Sequence, residues 1–388
     1  MNKEKIIVGF LTSTDPKDKT SWSGTHYQML NHLKKNGLKV KTLGPIKKPK
    51  FLIIALFLID ISHIISGKRF NKNHNILSSK YFAWYLNKKL NAMDVNVIFS
   101  ATASTEIAYL KTSIPICYLS DTSFSQIQDY YQNSSNFSQR SIKQSNLIEQ
   151  KAINNSATQV YPSEWAANHV IKYYKAIKDN VFVVKFGANF DAAPPKTDLL
   201  VKGNSKTLNL FFLGLDWKRK GGDIAFEAFN ILLSKGYDVK LTVCGCVPPI
   251  SHKNMTVIPY LNKNNDVDNK KLIQLFHSND IFFLPTRSEC YGIVFCEAAA
   301  FGLPVITTAT GGVTSVIENG INGYALPLDA TANDYAIKIE QLFYTPNKLN
   351  KMAISSREKF EQELNWDVWA KKLIDILLFT IKNKDAKH

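Results

Sequence analysis

Arg287-Ser288-Glu289-Cys290-Tyr291-Gly292-Ile293-Val294-Phe295-Cys296-Glu297-Ala298-Ala299-Ala300-Phe301-Gly302-Leu303-Pro304-Val305-Ile306 reads as a loop, a helix, a tight turn and the start of a strand. The apolar run Ile281–Leu284 precedes it and has the length of a buried strand. Glu289 therefore falls in the loop at that strand's carboxyl end. The helix opens after Gly292, so the backbone N–H groups of Tyr291 to Val294 lack intrahelical acceptors and suit an anion. Glu297 lies in the body of the same helix, at most about 12 Å along the axis from Glu289 by helical rise. Two carboxylates with N–H donors between them fit an elongated ligand, with hydroxyls at each end and phosphate in the middle.

The same alternation extends in both directions. After the break at 191–206, which holds Ala192-Ala193-Pro194-Pro195 and then Gly203-Asn204-Ser205, apolar runs at Leu208–Leu213, Val239–Cys244, Thr256–Pro259, Ile281–Leu284 and Pro304–Thr307 read as strands. Helical stretches at Gly222–Ser234, Asp268–His277 and Ile293–Phe301 separate them. Before the break, Lys5–Leu11, Leu38–Leu43, Val95–Ser100, Ile114–Leu119, Ala157–Tyr161 and Val181–Lys185 are strands, with helices at Gly24–Lys35, Ser141–Asn155 and Ser163–Ala176. Ser163 is an expected N-cap. Two β/α series joined by a linker predict an α/β chain of two doubly wound Rossmann-like domains facing across a cleft. The boundaries are an N-terminal domain over 1–190, a linker over 191–206, a C-terminal domain over 207–365 and a last helix over 366–388 that packs back toward the N-terminal domain. Ligands of such sheets bind beyond the carboxyl ends of the strands.

Three further stretches sit at strand ends. Gly214-Leu215-Asp216-Trp217-Lys218-Arg219-Lys220-Gly221-Gly222 follows Leu208–Leu213 and places three consecutive cations before two glycines that open a helix, a phosphate-binding arrangement. Trp22-Ser23-Gly24-Thr25 follows the first strand and enters a helix. Ser120-Asp121-Thr122-Ser123-Phe124 follows Ile114–Leu119.

Composition narrows the class. The chain has 388 residues, 45% of them hydrophobic and 12% aromatic, which excludes a disordered or collagen-like protein. Five cysteines form an odd, sparse set, and residues 1–20 lack a charged-then-apolar leader pattern, so a reducing cytoplasmic setting is expected. The net charge of +16 is uneven. Residues 1–190 carry 25 Lys/Arg against 11 Asp/Glu, whereas 191–388 carry 23 against 21. Positions 19–93 hold 14 basic residues and a single acid, Asp60. Lysine predominates and no nucleic-acid motif is present, so nucleic acid is not expected as a partner. The apolar stretch Phe51–Ile65, with Lys47, Lys48 and Lys50 before it and Lys68 and Arg69 after it, is too short to span a bilayer. Two readings remain open: a core helix with solvated lysines at its ends, or a segment that sets the basic region 34–89 on an anionic membrane surface.

With these residues in view, the chain resembles the family-4 retaining glycosyltransferases of GT-B fold, nucleotide-sugar dependent. The resemblance rests on Glu289 and Glu297 with seven residues between them, on Gly302-Leu303-Pro304-Val305, on Lys220-Gly221, on Thr310-Gly311-Gly312 and Asn322-Gly323, and on Tyr161-Pro162-Ser163-Glu164-Trp165. It implies a sugar moved from a UDP- or GDP-sugar to an acceptor hydroxyl with retention of configuration, without a permanently bound cofactor or a metal. By the same resemblance Glu297 bonds the ribose, Glu289 the donor sugar, and the backbone of Cys290, Tyr291, Gly292 and Ile293 the sugar and diphosphate. Lys220, assisted by Arg219, neutralises the departing diphosphate. Gly24 lets the first domain's loop close on it, and Tyr260 and Leu261 neighbour the base. The implied acceptor is a glycan or lipid-linked glycan of a bacterial surface polysaccharide, such as capsule or lipopolysaccharide, handled on the inner face of the cytoplasmic membrane.

The chain also departs from that pattern. Leu215 stands where many members keep Arg, Ser315 where a Glu follows the Gly-Gly turn, and the loop that commonly carries a His offers Asp121, expected to orient acceptor or sugar. His26 has a structural reading beside a phosphate-contacting one, and Asp216 reads as a partner of Lys218. Cys244-Gly245-Cys246 has no second pair at zinc spacing and reads as small residues at a strand end. Glu297 lies on an otherwise apolar helix, where an acid is costly to bury without a ligand or partner. The rival functions are a nucleotide-sugar epimerase of the same fold and a non-catalytic polyanion or membrane-surface binder.

Overall fold

Short β-branched and aromatic runs, each followed by a loop and a helix, build two parallel sheets. The computed structural model describes residues 6–196, 206–345 and 347–385. The chain divides into two compact units, Met1–Val184 with Ala370–His388, and Lys185–Trp369. Of the expected linker, residues 197–205 lie outside the described residues.

The first unit contains β1 (Ile7–Thr12), β2 (Lys39–Thr42), β3 (Val97–Ala101), β4 (Ile116–Leu119), β5 (Thr158–Tyr161) and β6 (Val181–Val183). They pair in parallel in the order β2-β1-β3-β4-β5-β6. The order reverses between β1 and β3, which is where a doubly wound sheet opens a crevice at its carboxyl edge. Both faces are covered, so β3, β4 and β5 are buried at every position. Ser163 caps the helix Glu164–Tyr173 by accepting from the Ala166 N–H. The C-terminal helix Trp366–Asp385 contributes its Ala370–Asp385 part to this unit, where the Thr380 and Thr158 hydroxyls bond at 2.7 Å.

The second unit repeats the plan with β7 (Leu208–Leu213), β8 (Val239–Cys244), β9 (Met255–Ile258), β10 (Ile281–Leu284), β11 (Val305–Thr308) and β12 (Gly323–Leu326), in the order β12-β11-β10-β7-β8-β9. Its reversal falls between β7 and β10, so the loops after these two strands flank the crevice. Sequence periodicity missed β12, where Gly323 carries no side chain because a Cβ there would come within 2.1 Å of the Val305 carbonyl oxygen. It also missed the helices Ile76–Leu90, Ala332–Phe343 and Lys348–Gln362.

Helix Lys50–Ile64 is the largest departure from an ordinary core element. Its stripe Leu52, Leu56 and Ile59 packs on Phe70 and Tyr81. The rest of its apolar surface faces solvent, with Phe51, Ile54, Phe57 and Leu58 each more than half exposed.

Candidate functional site

In the second unit the two loops at the sheet reversal are held together by an ion pair. Lys220, at the end of the tri-cationic turn after β7, donates to Glu289 Oε2 in the loop after β10. Gly214 makes room for it, since a Cβ there would lie 2.7 Å from Lys220 Cγ. Arg219 ties the same loops at a second level. Its guanidinium donates to the Ser288 carbonyl at 3.1 Å, and its own carbonyl accepts from the Arg287 N–H at 2.8 Å. Asp216 accepts from the Arg219 backbone N–H at 3.0 Å and lies 4.0 Å from its guanidinium, so its neighbour is Arg219 rather than the expected Lys218.

Each loop ends on a glycine in left-handed conformation. Gly221, φ +74°, precedes the helix Gly222–Ser234, and a Cβ on it would strike the Pro285 carbonyl oxygen at 1.9 Å. Gly292, φ +90°, precedes the helix Ile293–Ala300, and its Cβ would meet the Phe295 ring at 2.3 Å. Only glycine combines positive φ with such close approach. Two helix N-termini thus open beside Lys220 and Glu289, the Gly222 N–H being taken up by the Trp217 carbonyl at 2.7 Å, an electropositive setting for an anion. The Gly312 N–H closes the far side of the loop on the Glu289 and Cys290 carbonyls at 3.3 and 3.1 Å.

Glu297 is fully buried in the Ile293–Ala300 helix. Lys263 donates to its Oε1 at 2.6 Å, while Oε2 is buried without a protein partner. Burial pushes the Glu297 carboxyl above its ordinary range, and the Lys263 ammonium opposes that shift. A half-satisfied buried carboxylate is expensive, and a ligand hydroxyl is one group that would complete it. Lys263 was not among the residues expected from the sequence. It lies 34 positions from Glu297, and no local spacing signals such a pair; the cost of burying the acid was the one available hint. The pair also brings the segment after β9, which carries Tyr260 and Leu261, toward the Glu297 helix. Tyr260 is exposed there.

Cys290 and Tyr291 are buried, and Tyr291 Oη donates to the Phe186 carbonyl at 3.2 Å, so these side chains anchor the loop. Leu215, in place of the Arg of the pattern, is largely exposed. Cys244 and Cys246 are free thiols flanking Gly245, φ +99°, where a Cβ would meet the Gly214 carbonyl oxygen at 2.8 Å. Among the described residues no group of three or more His, Cys, Asp or Glu is placed to hold a metal ion.

Gly24 and Asp121 belong to the other unit. There the loops after β1, β3 and β4 surround a cavity of about 660 Å³, with Asp121 in its wall. The backbone around it is strained. Trp22, Ser23 and Gly24 are consecutive left-handed residues at φ +47°, +58° and +89°, and Thr102 has φ +52°. Each non-glycine of this kind costs about 1–3 kcal/mol and persists only where surroundings over-determine it, commonly at ligand sites. His26 is one such constraint. Its Nδ1 and Nε2 bond the Thr14 and Thr102 hydroxyls, each at 2.9 Å, and burial lowers its pKa to about 4. The ring is a neutral strut between loops.

Deeper in this cavity sit groups that sequence reasoning passed over. Glu106 and Glu149 are buried and pushed up to about 7 by loss of water, and His74 is pushed down to about 4. Tyr118 donates to Glu149 Oε1 at 3.0 Å, and His74 Nε2 lies 2.9 Å from the Ser104 hydroxyl. Near neutrality His74 is uncharged and the two acids are only partly ionised, a hydrogen-bonding lining suited to a polyhydroxylated ligand.

Two doubly wound parallel sheets, one of them carrying a cationic turn, two glycine-headed helix N-termini and a buried acid at its reversal point, define an α/β chain of GT-B architecture. Residues 201–359 match the family model described as glycosyl transferases group 1. Among relatives, the chain is 26% identical over 251 residues to a D-inositol 3-phosphate glycosyltransferase of Corynebacterium aurimucosum, covering 59% of this chain and 58% of that protein. It is 25% identical over 237 residues to the capsular polysaccharide biosynthesis glycosyltransferase CapM of Staphylococcus aureus, covering 58% and 62%. The chain thus spans about three fifths of the length of these relatives. Among solved structures, WaaG, a glycosyltransferase involved in lipopolysaccharide biosynthesis, superposes with a TM-score of 0.63 at 16% identity, covering 96% of this chain and 99% of that one, which is a likeness of fold.

Proposed function

We propose that this chain is a retaining, metal-independent glycosyltransferase that moves a sugar from a nucleoside diphosphate-sugar, with UDP or GDP as carrier, to an acceptor hydroxyl. The observation that carries this reading is the joint placement of the Lys220–Glu289 pair and the half-satisfied, buried Glu297 along two helix N-termini. Glu297 Oε2 accepts from a ribose hydroxyl. Glu289 exchanges part of its bond with Lys220 for the donor sugar's hydroxyls, and the released Lys220 ammonium, with the N–H groups of Gly292 and Ile293, balances the charge that grows on the departing diphosphate. Arg219 fixes the Ser288 carbonyl and so the loop that carries Glu289. Retention follows if the acceptor attacks from the face that the diphosphate leaves, its proton passing to that phosphate.

The acceptor is assigned to the first unit's cavity, where partly protonated carboxyls, hydroxyls and Asp121 offer hydrogen bonds to a glycan, while Gly24 lets the loop after β1 close on the diphosphate. The name of one relative, a capsular polysaccharide biosynthesis enzyme, supports a surface-glycan acceptor; we take that acceptor to be lipid-linked and handled at the inner face of the cytoplasmic membrane. Five free cysteines suit that reducing side.

The test is a thermal-shift titration with UDP, GDP, ADP and CDP. One or two of them should raise the melting temperature of the wild type, and the rise should vanish in Glu297→Ala and Lys220→Ala. Equal indifference to all four overturns the reading.

A further inference from the structure

We infer that the helix Lys50–Ile64 seats this protein in the interface of an anionic bilayer, and that it does so at the edge of the first unit's polar cavity. This deepens the lipid-linked part of the proposal above but rests on different residues. The helix has one covered stripe, and the remainder of its surface is almost wholly apolar. Phe51, Ile54, Phe57, Leu58 and Ile64 expose 56–69% of their area, and Ile65 just past the end exposes 83%. Ordinary soluble monomers do not leave so many large apolar groups contiguous. The neighbouring helix Ile76–Leu90 extends the patch. Tyr81 lies edge-on to Phe51 at 6.5 Å, and Trp84, 60% exposed, lies 5.9 Å from Tyr81. An exposed Trp beside an apolar surface is the composition of a membrane–water boundary.

Charge selects the occupant. Lys47 and Lys50 precede the exposed face and Lys68 and Arg69 follow it, all exposed, and the one acid of the helix, Asp60, is bonded to Lys72 at 2.8 Å. A two-fold pairing of this face with a second copy would set basic rim against basic rim, whereas an anionic headgroup layer neutralises it. No helix among the described residues is long and apolar enough to cross a membrane, so the helix lies in the interface plane.

Its position in the chain gives the seat a purpose. Ile46 and Lys48, just before the helix, and Asn71, Asn73 and His74, just after it, all line the cavity. The helix is the excursion between two pieces of that wall, so burying it among acyl chains holds the cavity at headgroup depth. The ligand class this serves is a lipid-borne polar headgroup, whose tail need not leave the bilayer.

The experiment is co-sedimentation of the full chain with vesicles of equimolar phosphatidylglycerol and phosphatidylcholine, beside phosphatidylcholine alone. Wild-type protein should pellet with the anionic vesicles and be released progressively by salt. Phe51→Ser/Ile54→Ser/Phe57→Ser/Leu58→Ser, all at exposed positions, should reduce partitioning roughly ten-fold or more. Lys47→Glu/Lys50→Glu should reduce it by about the same factor on anionic vesicles alone. Val267→Ser, an equally exposed apolar position in the other unit, should change nothing. Melting curves confirm that the variants fold. Wild type that stays in the supernatant, a quadruple variant that pellets like wild type, or a concentration-dependent dimer dissolved by the quadruple variant each overturns the inference. None of these outcomes touches the nucleotide titration, so the two readings fail separately.

Discussion

Replacing Lys263 by Met is the most informative single perturbation of the second unit's candidate site, because it leaves Glu297 in place and removes its one bonded cation. Glu297 is fully buried, and the Lys263 ammonium is one fifth exposed and 2.6 Å from Oε1. Removing one partner of a buried pair costs on the order of 3–5 kcal/mol, and the partial exposure of Lys263 sets the expectation near ~3 kcal/mol. In a unit of this size 1 kcal/mol moves the melting temperature by roughly 2–4 °C, so Lys263→Met should melt about 6–12 °C lower at pH 8. The pH dependence separates this cause from a packing defect. The folded carboxyl of Glu297 sits above its unfolded value, so the folded state binds the extra proton and stability falls as pH rises through the folded pKa. Without Lys263 that shift grows. The deficit should therefore shrink as the pH is lowered from 8 to 5, and Lys263→Met/Glu297→Gln should recover most of it at pH 8. Differential scanning calorimetry across this range is the assay. A deficit under about 1 °C, or one that stays constant with pH, refutes the reasoning.

Other consequences follow from the same geometry. Gly292→Ala and Gly221→Ala each force a Cβ into a left-handed residue against the Phe295 ring or the Pro285 carbonyl, so each should destabilise by ~2 kcal/mol or more and abolish nucleotide-dependent stabilisation. In the first unit, Glu106 and Glu149 have folded pKa values of about 7 against an ordinary 4.5. Their contribution is complete below pH 4.5 and is lost as pH rises through 7, at up to about 1.4 kcal/mol per pH unit for each proton released. Melting temperature should thus decline between pH 6 and 8 more steeply in the wild type than in Glu149→Gln, and equal slopes would contradict the burial of that acid.

Much of this molecule is written in local pattern. The strands β7, β8 and β10 and the helix Gly222–Ser234 have the boundaries that their apolar runs and flanking glycines mark, because a strand covered on both faces needs an unbroken run and a helix beside a phosphate-type loop needs Gly at its head. The same logic located Lys220 and Glu289 in loops after neighbouring strands, and the ion pair between them is the tertiary result. Long-range pairing was invisible. Lys263 meets Glu297 only through the order of β7, β8, β9 and β10, and nothing in Asn262-Lys263-Asn264 announces it. The acids and His74 around the first unit's cavity were hidden differently, since Glu106 lies on a four-residue helix buried throughout, Glu149 is a single acid on a long amphipathic helix, and no local pattern marks either as buried. Helix Lys50–Ile64 shows the limit of composition. An apolar run of this length fits a core or a surface equally, and the distinction came from how little Phe70 and Tyr81 cover.

On the proposed function, the second unit grips a diphosphate between Lys220 and the helix that begins at Ile293, with Glu297 at the ribose. A structure of the protein soaked with the nucleoside diphosphate that stabilises it tests this directly. The expected result is the diphosphate oxygens within hydrogen-bond distance of Lys220 Nζ and the Gly292 and Ile293 N–H groups, with both ribose hydroxyls on the Glu297 carboxylate. A nucleotide seated elsewhere, with Glu297 Oε2 still without a partner, would contradict it.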